Sequence, residues 1–314
     1  MNVSEIAQLL AEHGIEQIIL IPHRDLHRFP LHHLFDAHSC TYFPSAHLAL
    51  THHQRRSPAV PLDSLLLVEN PKSTPQLSKG KQALEPLPFA EAEAALIQQW
   101  MGSAVSDRQP AVTLVASQEA TFTTVTTALQ QPHHILHFTG HGTYDSLNPS
   151  QSCLFLAGSD RLTLSEIVQL DLSVYHLVCL AACETAVTGD QTITAEYVGL
   201  MSAFLKAGVG HVLSTLWRVE SVTSMLMMVQ FYRELQHQPP VIALRAAQAF
   251  LRNGAREQFV DWLADAIALL STNPANRSFC ILLTAERDRL QSLEEEYPYA
   301  HPYYWAAFHI AGAI

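Results

Sequence analysis

Six short stretches of the chain are rich in β-branched residues and Leu: residues 18–21, 65–68, 112–115, 135–138, 177–181 and 211–216. A strand with one wet face alternates apolar and polar residues. One covered by helices on both faces has no such need, so these runs predict a mostly parallel sheet buried on both sides. Pro22 closes the first run and Asn70-Pro71 the second. Between the runs the apolar spacing becomes helical. Phe89, Ala92, Leu96 and Trp100 share one face over 89–101; Val198, Met201, Phe204 and Leu205 share another over 195–207, which Gly208 should end. Ser117 is the expected N-cap of a helix over 120–131, and Ser221 of one carrying Met225, Met228, Val229, Tyr232 and Leu235. A further helix over 241–252 should stop at Asn253-Gly254. Strands and helices in alternation predict an α/β fold with right-handed crossovers. Residues 69–88, 271–277 and 294–304 are the predicted surface loops.

Composition narrows this picture. With 314 residues the chain has room for two domains or one large one, and a shift in composition near residue 110 suggests a division into 1–110 and 111–314. A hydrophobic share of 48% with 15% charged residues excludes wholesale disorder. The net charge of −11, with Lys only at 72, 79, 81 and 206, speaks against a nucleic-acid binder and against a Lys-rich membrane or phosphate patch. Five irregularly spaced cysteines are not a disulfide framework and suggest a reducing compartment. The first 17 residues carry Glu5, Glu12 and Glu16 and no basic stretch, unlike a signal peptide. The longest apolar stretch, 197–213, is interrupted by Lys206 and three glycines. A soluble, cytoplasmic protein without membrane or nucleic-acid partners is the expectation.

Common nucleotide, zinc-protease and serine-hydrolase motifs are absent. Two segments at the ends of apolar runs hold candidate chemistry instead: His137-Phe138-Thr139-Gly140-His141-Gly142 and Cys179-Leu180-Ala181-Ala182-Cys183-Glu184-Thr185. Catalytic groups in open α/β sheets collect at the carboxyl ends of strands. His-x3-His and Cys-x3-Cys invite a metal reading, but residues four apart on a strand lie ~13 Å apart, too far for one ion. No metal or cofactor is therefore expected. His23, His27, His32 and His33 have no suitably spaced carboxylate or Cys companion and read as surface or core histidines. The remaining reading takes the second member of each pair. His141 would hold or accept the proton of the Cys183 thiol, and the thiolate would attack a carbonyl. The N–H groups of Gly142 and Cys183 could face the developing oxyanion. The plainer alternative makes Cys183 an ordinary buried thiol, as Cys153, Cys179 and Cys280 are expected to be.

At these residues the chain resembles the CHAT family of caspase-like cysteine peptidases. HFTGHG is followed, 42 positions after its second His, by the Cys of LAACET. EYVGLMSAFLKAGVGHVLSTLW at 196–217, HPYYWAAFHIAG at 301–312 and ILIPHRDLHRFPLHHLF at 19–35 extend the likeness over nearly the whole chain. The middle segment resembles cyanobacterial members most. The resemblance implies a caspase-like sandwich: a mostly parallel sheet flanked by helices, preceded by a smaller non-catalytic α/β lobe. It implies His141 as general base and Cys183 as nucleophile, with Glu184 holding the loop. It also implies that the strand at 212–217 and the loop after it shape the substrate pocket. Trp217 would either offer an apolar wall there or pack into the core, while Arg218 invites an acidic and Glu220 a basic substrate residue. Ala186 stands where the family commonly has Gly, and the loop at 187–194 is short, which bears on the geometry of the cleft.

Two functions from different classes follow. One is a cysteine endopeptidase cutting a protein substrate in a regulatory pathway, either as a stand-alone domain or with a regulatory partner on a separate chain. The other is a catalytically silent scaffold or signalling module that binds a partner through the same strand edge. An acyl transferase using the same dyad is a third.

Overall fold

The computed structural model describes residues 2–35, 37–54, 62–74, 87–102, 111–143, 145, 148–185 and 193–312, with side chains for all of these except 25, 182–185 and 193–198. The strands are β1 (Gln17–Leu20), β2 (Ser39–Tyr42), β3 (Ser64–Glu69), β4 (Ala111–Ala116), β5 (Ile135–Thr143), β6 (Cys153–Phe155), β7 (Arg161–Thr163), β8 (Leu177–Thr185), β9 (His211–Thr215) and β10 (Phe308–Gly312). The helices are α1 (Val3–Glu12), α2 (Ala46–Gln54), α3 (Ala90–Gly102), α4 (Phe122–Leu129), α5 (Leu164–Ile167), α6 (Ile193–Lys206), α7 (Ser221–Leu235), α8 (Pro240–Asn253), α9 (Arg256–Leu270), α10 (Arg277–Gln291) and α11 (Pro302–Trp305).

One sheet runs in the order β1-β2-β10-β9-β8-β5-β3-β4, with the β6–β7 hairpin attached to β5. Along this path only β10 against β9 is antiparallel. The sheet takes strands from both sides of residue 110. β3 lies between β4 and β5, whereas β1 and β2 join beyond β10.

The central runs have the predicted cause. Leu65, Leu67, Ile135, Leu177, Cys179 and Leu213 face one core, built with α3, α7, α8, α9 and α10. Leu66, Val68, Leu136, Val178, Leu180 and Val212 face the other, built with α4 and α6. The central strands β3, β5, β8 and β9 therefore bury both of their faces, whereas β1 and β4, at the two ends of the sheet, leave Ile19 and Leu114 exposed, against the expectation. The helix starts differ from expectation in two places. Ser117 sits at φ 54° in a short turn, and the following helix is capped by the Thr121 side chain. Ser221 is the first residue of its helix, and its hydroxyl accepts the Phe89 N–H at 3.2 Å. It anchors the entry to α3 rather than capping its own helix. Gly208 ends α6 in the left-handed region at φ +106°, as expected.

Of the predicted loops, 271–277 contains the short 3-10 turn Pro274–Asn276, and 294–304 contains most of α11. Residues 75–86 of the third and 187–192 of the loop after Cys183 lie outside the described residues, as does Ala186. No described helix is long and apolar enough to cross a membrane.

Candidate active site

Strands β5 and β8 lie side by side and parallel, and both run well past their apolar stretches. From Ile135 to Thr139 the register against Leu177 to Ala181 is regular. It then shifts: His141 is the partner of Glu184, and Gly142 of Thr185. Two residues on β5 thus span the distance of three on β8. The extra residue falls at Ala182-Cys183, opposite Gly140. This is a β-bulge, the device that locally re-aims a strand and is enriched beside active sites. It sets Glu184, rather than Cys183, opposite His141, and leaves Cys183 in the bulge opposite Gly140 at the carboxyl end of the sheet. The side chains of Cys183 and Glu184 are outside the described residues.

The end of β5 is held on its other side by β6, through Gly142 with Leu154 and Thr143 with Cys153. His141 is only 7% exposed. The two glycines flanking it differ. A Cβ on Gly140 would come within 3.0 Å of Phe138 and Pro71, so crowding demands glycine there. A Cβ on Gly142 would lie 3.4 Å from the Cys153 carbonyl and 3.6 Å from Leu154, close to ordinary contact. Space alone does not require glycine at 142.

Four residues earlier on the same strands, His137 and Cys179 are direct partners and fully buried. His137 Nε2 lies 3.0 Å from Glu93 Oε1, and the Tyr232 hydroxyl lies 3.2 Å from His137 Nδ1. Burial pushes the Glu93 carboxyl up, with the His137 hydrogen bond opposing. Burial also pushes the Cys179 thiol up to about 12, against its hydrogen bond with Tyr232. Cys179 is therefore a protonated thiol at neutral pH. Nothing in the spacing marks Glu93; Tyr232 falls on the expected apolar face of its helix, but its hydroxyl's role beside His137 is not visible there. Among the described residues no group of three or more His, Cys, Asp and Glu could hold a metal ion.

On the far side of β8 the sheet opens. β9 pairs with β8 only from His211–Leu177 to Leu213–Cys179. Beyond that point β9 continues with β10 alone, through Ser214–His309 and Thr215–Phe308. The carboxyl half of β8 therefore has β5 on one side and no ladder with β9 on the other. Trp217, Arg218 and Glu220 follow β9. Trp217 is partly buried, and its indole N–H donates to the Tyr303 carbonyl at 3.0 Å. Arg218 and Glu220 are both exposed and flank the buried Val219. The Glu220 carbonyl accepts from the Thr223 hydroxyl and the Ser224 N–H, each at 2.9 Å, and so starts α7.

A further carboxyl lies close by. Glu69 ends β3 as the partner of Thr139. Burial, with the nearby Glu91 charge, pushes it up to about 7. The run 65–68 predicted the strand but not this group, whose character depends on what covers it. The clearest cavity is elsewhere. It measures about 170 Å³ and is lined by His32, His38, Gln248, Trp305 and His309 among others, none of them a candidate site residue. Burial holds His309 down at about 3 and His32 well below its ordinary value, so both are neutral core histidines.

Sheet order, two-faced burial and strand-end site together define a caspase-like α/β fold. The CHAT domain family model matches residues 2–313, and the chain belongs to that family. Among solved structures it is similar to the separase of the Saccharomyces cerevisiae separase–securin complex. The TM-score is 0.50 at 14% identity, covering 91% of this chain and 15% of that one. It thus spans about a seventh of the separase chain. A second structure of that complex gives 0.48 at 17% identity over 72% of this chain and 14% of that one. The Arg-specific cysteine proteinase gingipain R gives 0.46 at 11% identity, over 78% of this chain and 62% of that one. No curated protein matches.

Proposed function

We propose that the protein is a cysteine endopeptidase that cleaves a protein partner in a regulatory pathway. The observation that supports this reading is the bulge at Ala182-Cys183, which falls opposite Gly140 and one residue before the His141–Glu184 pair at the carboxyl end of the sheet, an irregularity of the kind enriched beside active sites. Family membership agrees with it. The strands that hold the pair both lie in 111–314, and 1–110 supplies the non-catalytic strands β1, β2 and β3.

In this mechanism His141 takes the proton of the Cys183 thiol. The thiolate attacks the carbonyl carbon of the scissile peptide, forming a C–S bond and an oxyanion. The N–H groups of Gly142 and Cys183 stabilise that oxyanion. The C–N bond then breaks, and the leaving amine receives the proton from His141. A water attacks the thioester, with His141 as base, releasing the carboxylate product and restoring the thiol. The absence of crowding at Gly142 favours a chemical reason for that glycine. The substrate would lie as an extended strand in the gap between β8 and the segment after β9, where Trp217, Arg218, Glu220 and Glu184 could meet its side chains. No cofactor takes part.

The test is a cleavage profile of a diverse peptide library with the protein and with Cys183→Ala. Cuts made by the first and lost in the second support the peptidase and reveal the residue before the cut. If neither cuts, alone or with candidate partners added, the reading fails and the silent scaffold replaces it.

A further inference from the structure

Nine of the fourteen exposed large apolar side chains among the described residues fall in the first 50 positions, so the apolar surface is concentrated on one part of the molecule. Three of them, Ile15, Ile19 and Ile21, lie on β1 or within two residues of it along the chain. β1 is the end strand of the sheet. Its partner β2 takes the carbonyls of Glu16 and Leu20, through the Ser39 and Phe43 N–H groups at 2.9 Å. Backbone direction alternates along a strand, so Gln17, Ile19 and Ile21 turn their N–H and C=O groups to the open edge. Natural edge strands are guarded by charge, proline or a bulge. Residues 17–21 read Gln-Ile-Ile-Leu-Ile, without any of these. Beside the strand, α1 has no buried residue and leaves Val3 and Leu9 exposed.

The charges flanking the strand say what could cover it. Exposed Glu12 and Glu16 precede β1, and exposed Arg24 and Arg28 follow it. A strand that is acidic before and basic after repels a parallel copy of itself and attracts an antiparallel one.

We propose that this edge is a homodimer interface in which β1 of two copies pair antiparallel about a two-fold axis at Ile19, joining two sheets into one. Ile19 meets Ile19 of the second copy, and Gln17 meets Ile21. Glu12 and Glu16 of each copy lie toward Arg24 and Arg28 of the other. An isologous contact of this kind closes on itself and buries both exposed apolar patches.

Sedimentation velocity of the intact chain from about 1 to about 100 µM tests it. The expected result is a dimer. Ile19→Lys places two like charges opposite each other at the centre and should weaken dimerisation at least ~10-fold. Arg24→Glu should weaken it, and adding Glu16→Arg should restore it, which a merely misfolded variant would not do. Leu114→Lys, exposed on the strand at the opposite edge, should leave the dimer intact. A monomer throughout the range overturns the proposal. So does a dimer that survives Ile19→Lys, or one that Leu114→Lys dissociates.

Discussion

Strands β5 and β8 carry the same two residue types twice, four positions apart. His137 and Cys179 form one rung; four residues on, His141 pairs with Glu184, and Cys183 sits in the bulge just before that second rung. The first rung is regular, fully buried, and tied into Glu93 and Tyr232, and its thiol is held protonated by burial. The second falls where the register breaks and the sheet opens away from β9. Identical side chains on one ladder thus divide by surroundings into a structural pair and a candidate reactive pair. Thiol chemistry needs access and a stabilised thiolate. The inner rung has neither, and its role is to fix the strands on which the outer rung depends.

The largest effect should separate the two cysteines by activity. Cys183→Ala should lower peptide cleavage by roughly 10³-fold or more. Cys179→Ala should keep cleavage within a few-fold while unfolding at lower denaturant. Equal losses in both would erase the distinction. The histidines should separate by stability. His137→Leu leaves Glu93 buried without its partner and should cost about 3–5 kcal/mol in urea unfolding, whereas His137→Leu with Glu93→Leu should recover most of it. Thiol labelling near neutral pH should mark Cys183 and not Cys179, and His141→Ala should suppress the Cys183 signal.

The glycines sharpen the contrast further. Gly140→Ala drives a Cβ into Phe138 and Pro71 and should destabilise by about 1–3 kcal/mol. Gly142→Ala should fold with little loss yet cleave more slowly, since the added methyl narrows the approach to the N–H at 142. The smallest effect is in pH. Glu69 has a folded value of about 7 against an ordinary 4.5, so the folded state binds its proton more tightly than the unfolded one. Its contribution is complete below pH 4.5 and drains away as pH rises through about 7. Because the carboxyl is partly open to solvent, Glu69→Gln should gain only about 1–2 kcal/mol over the native protein at pH 8.5, and nothing at pH 4. Unfolding curves at the two pH values would show it.

All six runs became strands, but two-faced burial accounts only for those in β3, β5, β8 and β9; the runs in β1 and β4 lie at the ends of the sheet and stay partly exposed. β2 was not legible in the same way. Ser39 and Thr41 are polar yet buried, placed by pairing with β1 rather than by their own hydropathy. α10 is hard to read because it buries only Leu283, Glu286 and Leu290 and is otherwise largely polar, whereas α9 buries Phe259, Trp262, Leu263, Ala266 and Leu270 at helical spacing and was legible in principle. The candidate pair itself could be named from two strand ends and a family likeness. The bulge at Cys183 could not, since register is a relation between strands and belongs to neither sequence segment alone. The roles of Glu93 and Tyr232 beside His137 were hidden for the same reason: each is defined by what lies across the core from it.

The single rung between Tyr42 and Ala311 has a consequence for how the molecule is made. During synthesis β1 and β2 emerge early, but β10, the strand that joins them to the rest of the sheet, is assembled about 270 residues later. At ribosomal speeds that delay is on the order of tens of seconds. Throughout it the nascent chain carries an unfinished sheet with two open edges, one of them aliphatic and uncharged. Folding of this protein should therefore be slow to complete and dependent on chaperones that shield the early strands until β10 arrives.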